Sequence, residues 1–138
     1  MKLKLLFVLL LTASFYYSQE EILIQNTSEG KLEGTLLVPN QTKKMPLVII
    51  VAGSGPTDRN GNNEGMQNNS LKMIAGLLAE KNIASFRFDK RGIAQSSDVA
   101  VDESRLLPET YVQDIKAWIN MLYTDKRFDK IIVAGHSE

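Results

Sequence analysis

The residues that could do chemistry lie at the end of the chain. Lys130-Ile131-Ile132-Val133-Ala134-Gly135-His136-Ser137-Glu138 reads as a buried strand running into Gly-x-Ser-x. That is a Gly-x-Ser-x-Gly turn short of its final glycine. In such a turn a strand bends sharply into a helix, lifting a serine hydroxyl out of the backbone at the C-terminal edge of a sheet. Glycines flank the serine because side chains there would clash. Ser137 is therefore a candidate nucleophile, and a serine hydroxyl becomes a competent one only when a base takes its proton. His136 is the only histidine. Neighbouring side chains on extended backbone point to opposite faces, so His136 is expected to pack beside the turn rather than to serve as that base. No catalytic histidine or acid is assigned within the chain.

Two further polar segments follow apolar runs. Gly53-Ser54-Gly55-Pro56-Thr57-Asp58-Arg59-Asn60-Gly61 opens a loop to Ser70 with four glycines and five asparagines, expected to be flexible and polar. Arg59 there could meet an anionic substrate group, but a solvated surface arginine is the favoured reading. Asp89-Lys90-Arg91-Gly92 is expected to shape a turn beside the site. Gly53-x-Gly55 also begins a dinucleotide fingerprint, yet its third glycine would fall on Asp58, and Pro56 removes a donor. A P-loop lacks its Gly-Lys-Ser/Thr.

The elements that must position these segments follow from periodicity. Ile22–Gln25 and Leu32–Val38, separated by turn formers, predict an antiparallel hairpin with Gly34 as a possible bulge. Pro39–Lys44 is a polar connector. Pro46–Ala52 is apolar throughout, as in a strand covered on both faces. Leu71, Ile74, Leu77 and Leu78 predict a helix over residues 70–81, and Ile83–Phe88 a fourth strand. Pro108 suits the first turn of a second helix, whose apolar face is Tyr111, Val112, Ile115, Trp118, Ile119 and Leu122. It ends near Tyr123–Asp125, and Lys130–Ala134 is the last strand. The β-α-β-α-β order after the hairpin favours parallel pairing with right-handed crossovers.

Composition narrows the partners. Lys2 and Lys4, the apolar run Leu5–Leu11 and the small-residue zone to Ser18 predict a signal peptide over residues 1–18 and an exported protein, periplasmic or secreted. Without that segment, 14 basic residues face 16 acidic ones, a net charge of −2. Such a balance argues against nucleic acid and anionic membrane as partners. The chain has no cysteine, which excludes thiol chemistry, disulfide staples and a lipoprotein anchor.

Taken together, these motifs resemble a known family. The chain is similar to the N-terminal half of an α/β hydrolase, and specifically to exported acyl esterases with a Gly-Ser-Gly-Pro-x-Asp-Arg-x-Gly loop and a Gly-His-Ser-Glu-Gly elbow. Gly53–Gly61, Asp89–Gly92 and Gly135–Glu138 match in the family's order. The resemblance implies an α/β fold, a hairpin followed by a parallel β-α-β-α-β sheet, truncated at the nucleophile elbow. Residues 19–138 then form a partial hydrolase domain. It implies a serine hydrolase acting on a carboxylic ester through an acyl-enzyme on Ser137, with no cofactor and no metal. The substrate is a small-molecule ester or a peptide, because a serine peptidase of the same fold remains the rival reading. The oxyanion donors are the backbone N–H groups of Glu138 and of Ser54 or its neighbour Gly53. The family's order places the acid and then the histidine downstream of the serine. Family members often carry a second glycine where Ala94 stands, so that turn is expected to differ.

An inactive fragment is the remaining alternative. The family's strand order would leave Lys130–Ala134 as an exposed apolar edge, and a fragment without the helix that should follow Ser137 would lack that helix's N-terminal dipole to support the oxyanion. Purified residues 19–138 are accordingly expected to aggregate and not to turn over an activated ester. Sustained, Ser137-dependent turnover by a monodisperse sample would contradict this.

Overall fold

The computed structural model describes residues 18–99 and 107–137. All of the predicted signal segment except Ser18 lies outside them, as does Glu138. Strand β1 (Gln19–Asn26) and strand β2 (Lys31–Val38) form the hairpin, and β3 (Met45–Val51) follows the polar connector. Helix α1 (Ser70–Glu80), β4 (Ala84–Phe88), a short 3-10 turn (Ala94–Ser96), helix α2 (Pro108–Tyr123) and β5 (Phe128–Gly135) complete the order. The five strands make one mixed sheet in the order β1-β2-β4-β3-β5. β3 runs parallel to both β4 and β5, while β2 lies antiparallel to β1 and to β4.

Alternation along the strands supplies two cores. From β3, Met45, Leu47, Ile49 and Val51 face the α2 side with Leu36, Phe86, Phe88, Trp118 and Leu122. Ile50 and Ala52 face the α1 side with Leu37, Leu71 and Ala75. An apolar run without polar interruption is thus what a strand covered on both faces requires. The Phe86 and Trp118 rings meet in a tilted contact, 4.7 Å between centroids, a favoured aromatic geometry. Pro108 occupies the first turn of α2, where its missing N–H has no helical partner to lose.

Several expectations need correction. Gly34 forms no bulge: the β1–β2 register runs unbroken from Gln19↔Val38 to Asn26↔Lys31. A Cβ on Gly34 would instead fall 2.3 Å from Phe86 Cζ, so the glycine makes room for the aromatic ring. Val112 is 59% exposed, and Tyr111 is only partly buried. The α2 positions that are fully buried are Asp114, Trp118 and Leu122. On α1, Ile74 and Leu77 are exposed while Leu71 and Ala75 are buried. Arg87 in β4 is buried beside Glu20 at 3.3 Å, and desolvation lowers its pKa. Among the described residues β5 forms the sheet edge expected of it, with Ile132 46% and Val133 47% exposed.

The close approach of Gly34 and Phe86 makes a direct test. Gly34→Ala should overpack this contact and destabilise the domain by about 1–3 kcal/mol in chemical denaturation. An unchanged midpoint would contradict the packing described.

Candidate active site

Parallel pairing puts the C-terminal ends of β3, β4 and β5 at one edge of the sheet, and each end carries one of the three polar motifs. The loop after β3 is held internally by side chains. Asp58 Oδ1 accepts hydrogen bonds from the N–H groups of Asn60 and Asn62, both at 2.8 Å. Asn62 and Asn69 exchange two more, at 2.9 and 2.8 Å. The N–H groups of Leu71 and Lys72 donate to Asn60 O. The expected flexible loop is therefore tightly hydrogen-bonded, because its asparagines and Asp58 act as acceptors for its own backbone.

The motif after β4 ties this loop to the rest of the domain. Asp89 is buried and accepts from Arg59 N–H at 2.7 Å and Gln95 N–H at 3.2 Å. Burial pushes the Asp89 carboxyl up, opposed by Arg59. Lys90 Nζ donates to Gly53 O at 2.6 Å, and its ammonium lies 5.9 Å from the Tyr111 ring centre. Arg91 grips Asp114 of α2 with two bonds, at 2.6 and 2.8 Å, and pairs with Glu29. The Asp114 hydrogen bond is the largest cause of its raised pKa. The expected turn-shaping role of Asp89–Gly92 becomes concrete: Asp89 and Lys90 both hold the loop after β3, and Arg91 holds α2. At the position lacking the second glycine, Ala94 itself adopts φ 45°, a left-handed conformation that costs a side chain roughly 1–2 kcal/mol.

Arg59 departs from the favoured solvated reading. Its side chain is only 11% exposed, with Nη2 2.5 Å from Glu33 Oε1 and Nε 3.5 Å from Asp89 Oδ2. Those partners lie 26 and 30 residues away in the chain, so no local signal announced them.

The turn after β5 completes the arrangement. His136 N–H donates to Val51 O at 3.1 Å, extending the β3–β5 pairing past Gly135. His136 itself is exposed. Ser137 is exposed and has φ 60°, a backbone region that non-glycine residues enter sparingly. Gly53 lies against this turn: a Cβ there would meet His136 O at 2.6 Å and Ser137 Cβ at 3.4 Å. Gly53, Ser54, His136 and Ser137 line one cavity of about 130 Å³ with residues of the loop after β3. Ser54 and Ser137 are thus brought together, while Glu138 lies outside the described residues. Among the described residues, no group of three His, Asp or Glu side chains could hold a metal ion.

This architecture has known counterparts. No protein-family model matches the chain. Esterase EstD of Thermotoga maritima is 29% identical over 124 residues, which is 88% of this chain and 28% of that protein. An α/β hydrolase from Penicillium sp. superposes with a TM-score of 0.64 at 17% identity, covering 85% of this chain and 37% of its own. An α/β serine hydrolase homologue from Coxiella burnetii gives 0.60 at 25% identity, covering 85% and 51%. The chain has the α/β-hydrolase fold over about half or less of the length of these proteins.

Gly53 is the point where the loop after β3 presses on the serine turn. Gly53→Ala should push the 136–137 turn from its place and destabilise the domain by about 1–3 kcal/mol, read in thermal unfolding. A variant as stable as the wild type would show that the loop and turn are not in this contact.

Proposed function

We propose that the protein is a serine hydrolase that cleaves carboxylic esters of small molecules through an acyl-enzyme on Ser137. One observation carries the reading. Ser137, not a glycine, holds φ 60° at the C-terminal end of β5, against the Gly53–Ser54 loop. Such strain persists only where surroundings enforce it, and it clusters at functional sites. The esterase name of the Thermotoga relative favours esters over peptides.

In the proposed reaction Ser137 Oγ attacks the acyl carbon and gives its proton to a general base. The carbonyl electron pair moves onto oxygen, where the N–H groups of Ser54 and Glu138 receive the charge. Collapse expels the alcohol, which takes the proton, and water then releases the acid by the reverse sequence. In the family that the motifs resemble, the base and its acid partner follow the serine, so the activity belongs to the full-length protein. Lys2, Lys4 and the apolar run Leu5–Leu11 support action outside the cytoplasm after signal cleavage.

The test uses full-length protein with p-nitrophenyl esters, peptide substrates and an alkyl fluorophosphonate. Ser137→Ala should abolish covalent labelling and lower kcat/KM by at least about a thousandfold. Undiminished labelling and turnover would overturn the nucleophile; peptide turnover exceeding ester turnover would overturn the substrate class.

A further inference from the structure

Lys90 is a buried charged group that the proposed reaction leaves unused, although it reaches the loop beside Ser137. Its side chain is buried, and Nζ donates to Gly53 O at 2.6 Å in a buried hydrogen bond. Burying an ammonium is costly unless it is well partnered. Here it receives the Gly53 carbonyl and the face of the Tyr111 ring.

The bond matters through the geometry of one peptide unit. The amide joining Gly53 to Ser54 is planar and trans, so its C=O and N–H point to opposite sides. Holding the carbonyl oxygen on the Lys90 side fixes the plane and turns the Ser54 N–H away from Lys90. Gly53 and Gly55 contribute little conformational restraint of their own, and Gly55 sits at φ 94°. An external tether is therefore what sets the plane. A Cβ on Gly53 would meet His136 O at 2.6 Å and Ser137 Cβ at 3.4 Å, so the residue whose carbonyl Lys90 holds is also the one packed against the serine turn. A cation on a carbonyl oxygen also polarises the amide, making its N–H a stronger donor.

We propose that Lys90 is a positioning residue for the oxyanion-binding peptide. By holding Gly53 O, it orients and polarises the Gly53–Ser54 amide toward charge developing on the substrate. The proposal rests on Ser137 being the nucleophile and Ser54 N–H an oxyanion donor.

The experiment compares Lys90→Met, which removes donor and charge, with Lys90→Arg, which keeps both, in the full-length enzyme. The readouts are kcat, KM, thermal stability, and affinity for an alkyl boronic acid, which adds to a serine hydroxyl as a tetrahedral anion. Removing one oxyanion donor costs roughly a hundred- to a thousandfold in kcat. Misaligning one should cost less, about ten- to a hundredfold in Lys90→Met. KM should stay close to wild type, boronate affinity should fall with kcat/KM, and Lys90→Arg should recover most of the loss. If Lys90→Met does not fold, Lys90→Gln takes its place; it removes the charge but keeps an amide donor, so the same pattern is expected with a smaller loss. A folded variant with wild-type kcat, or a kcat loss with unchanged boronate affinity, overturns the role of Lys90. Ser137→Ala separates the two levels. If it retains turnover, the nucleophile reading falls and this inference with it. If turnover needs Ser137 but ignores residue 90, only the Lys90 inference falls.

Discussion

Everything at the candidate site depends on β3 pairing in parallel with both β4 and β5. Parallel strands share a direction, so their C-terminal ends meet at one edge, and the segments leaving them must be neighbours. Residues 53, 90 and 137 are far apart in sequence but converge through this pairing alone. The apolar β3 run makes it possible, because a strand between two neighbours and beneath two helices has no polar face. The final link, His136 N–H to Val51 O, carries the ladder to within one residue of Ser137.

Above that edge, buried charge fixes the loops. Arg59, Glu33 and Asp89 form one linked set, Lys90 holds Gly53, and Arg91 holds α2. Buried ion pairs are poor sources of net stability, because desolvation offsets most of the attraction. Their value here is geometric. The Arg59 and Lys90 contacts restrain a glycine-rich loop whose own backbone would tolerate many conformations, and Arg91 ties the neighbouring turn to α2. A strained serine turn is held beside an anchored peptide, and that rigidity is what preorganised charge stabilisation needs.

Much of this was legible in the sequence. Pro46–Ala52 was an unbroken apolar run, the Pro108-headed helix carried strong periodicity, and Gly135–Ser137 carried a motif with a mechanical meaning, so sheet, helices and serine turn could all be expected. Other features were not legible, for physical reasons. Arg59 looked solvated because Glu33 and Asp89 meet it only once the chain has folded. Gly34 looked like a bulge because the demand it meets comes from Phe86 on another strand. Val112 fell on the apolar stripe of α2, yet the buried stripe includes Asp114 because Arg91 compensates its charge. In each case a long-range partner decided the outcome, and local pattern carries no record of it.

The account stands or falls on a covalent intermediate at Ser137. The direct measurement is acid quenching of full-length protein during turnover of a slowly hydrolysed ester, followed by peptide mapping by mass spectrometry. The account predicts the acyl mass on the peptide containing Ser137, appearing before steady state and disappearing as substrate is exhausted. Acyl mass on another residue, or turnover with no acylated peptide under conditions that trap a burst, would contradict it.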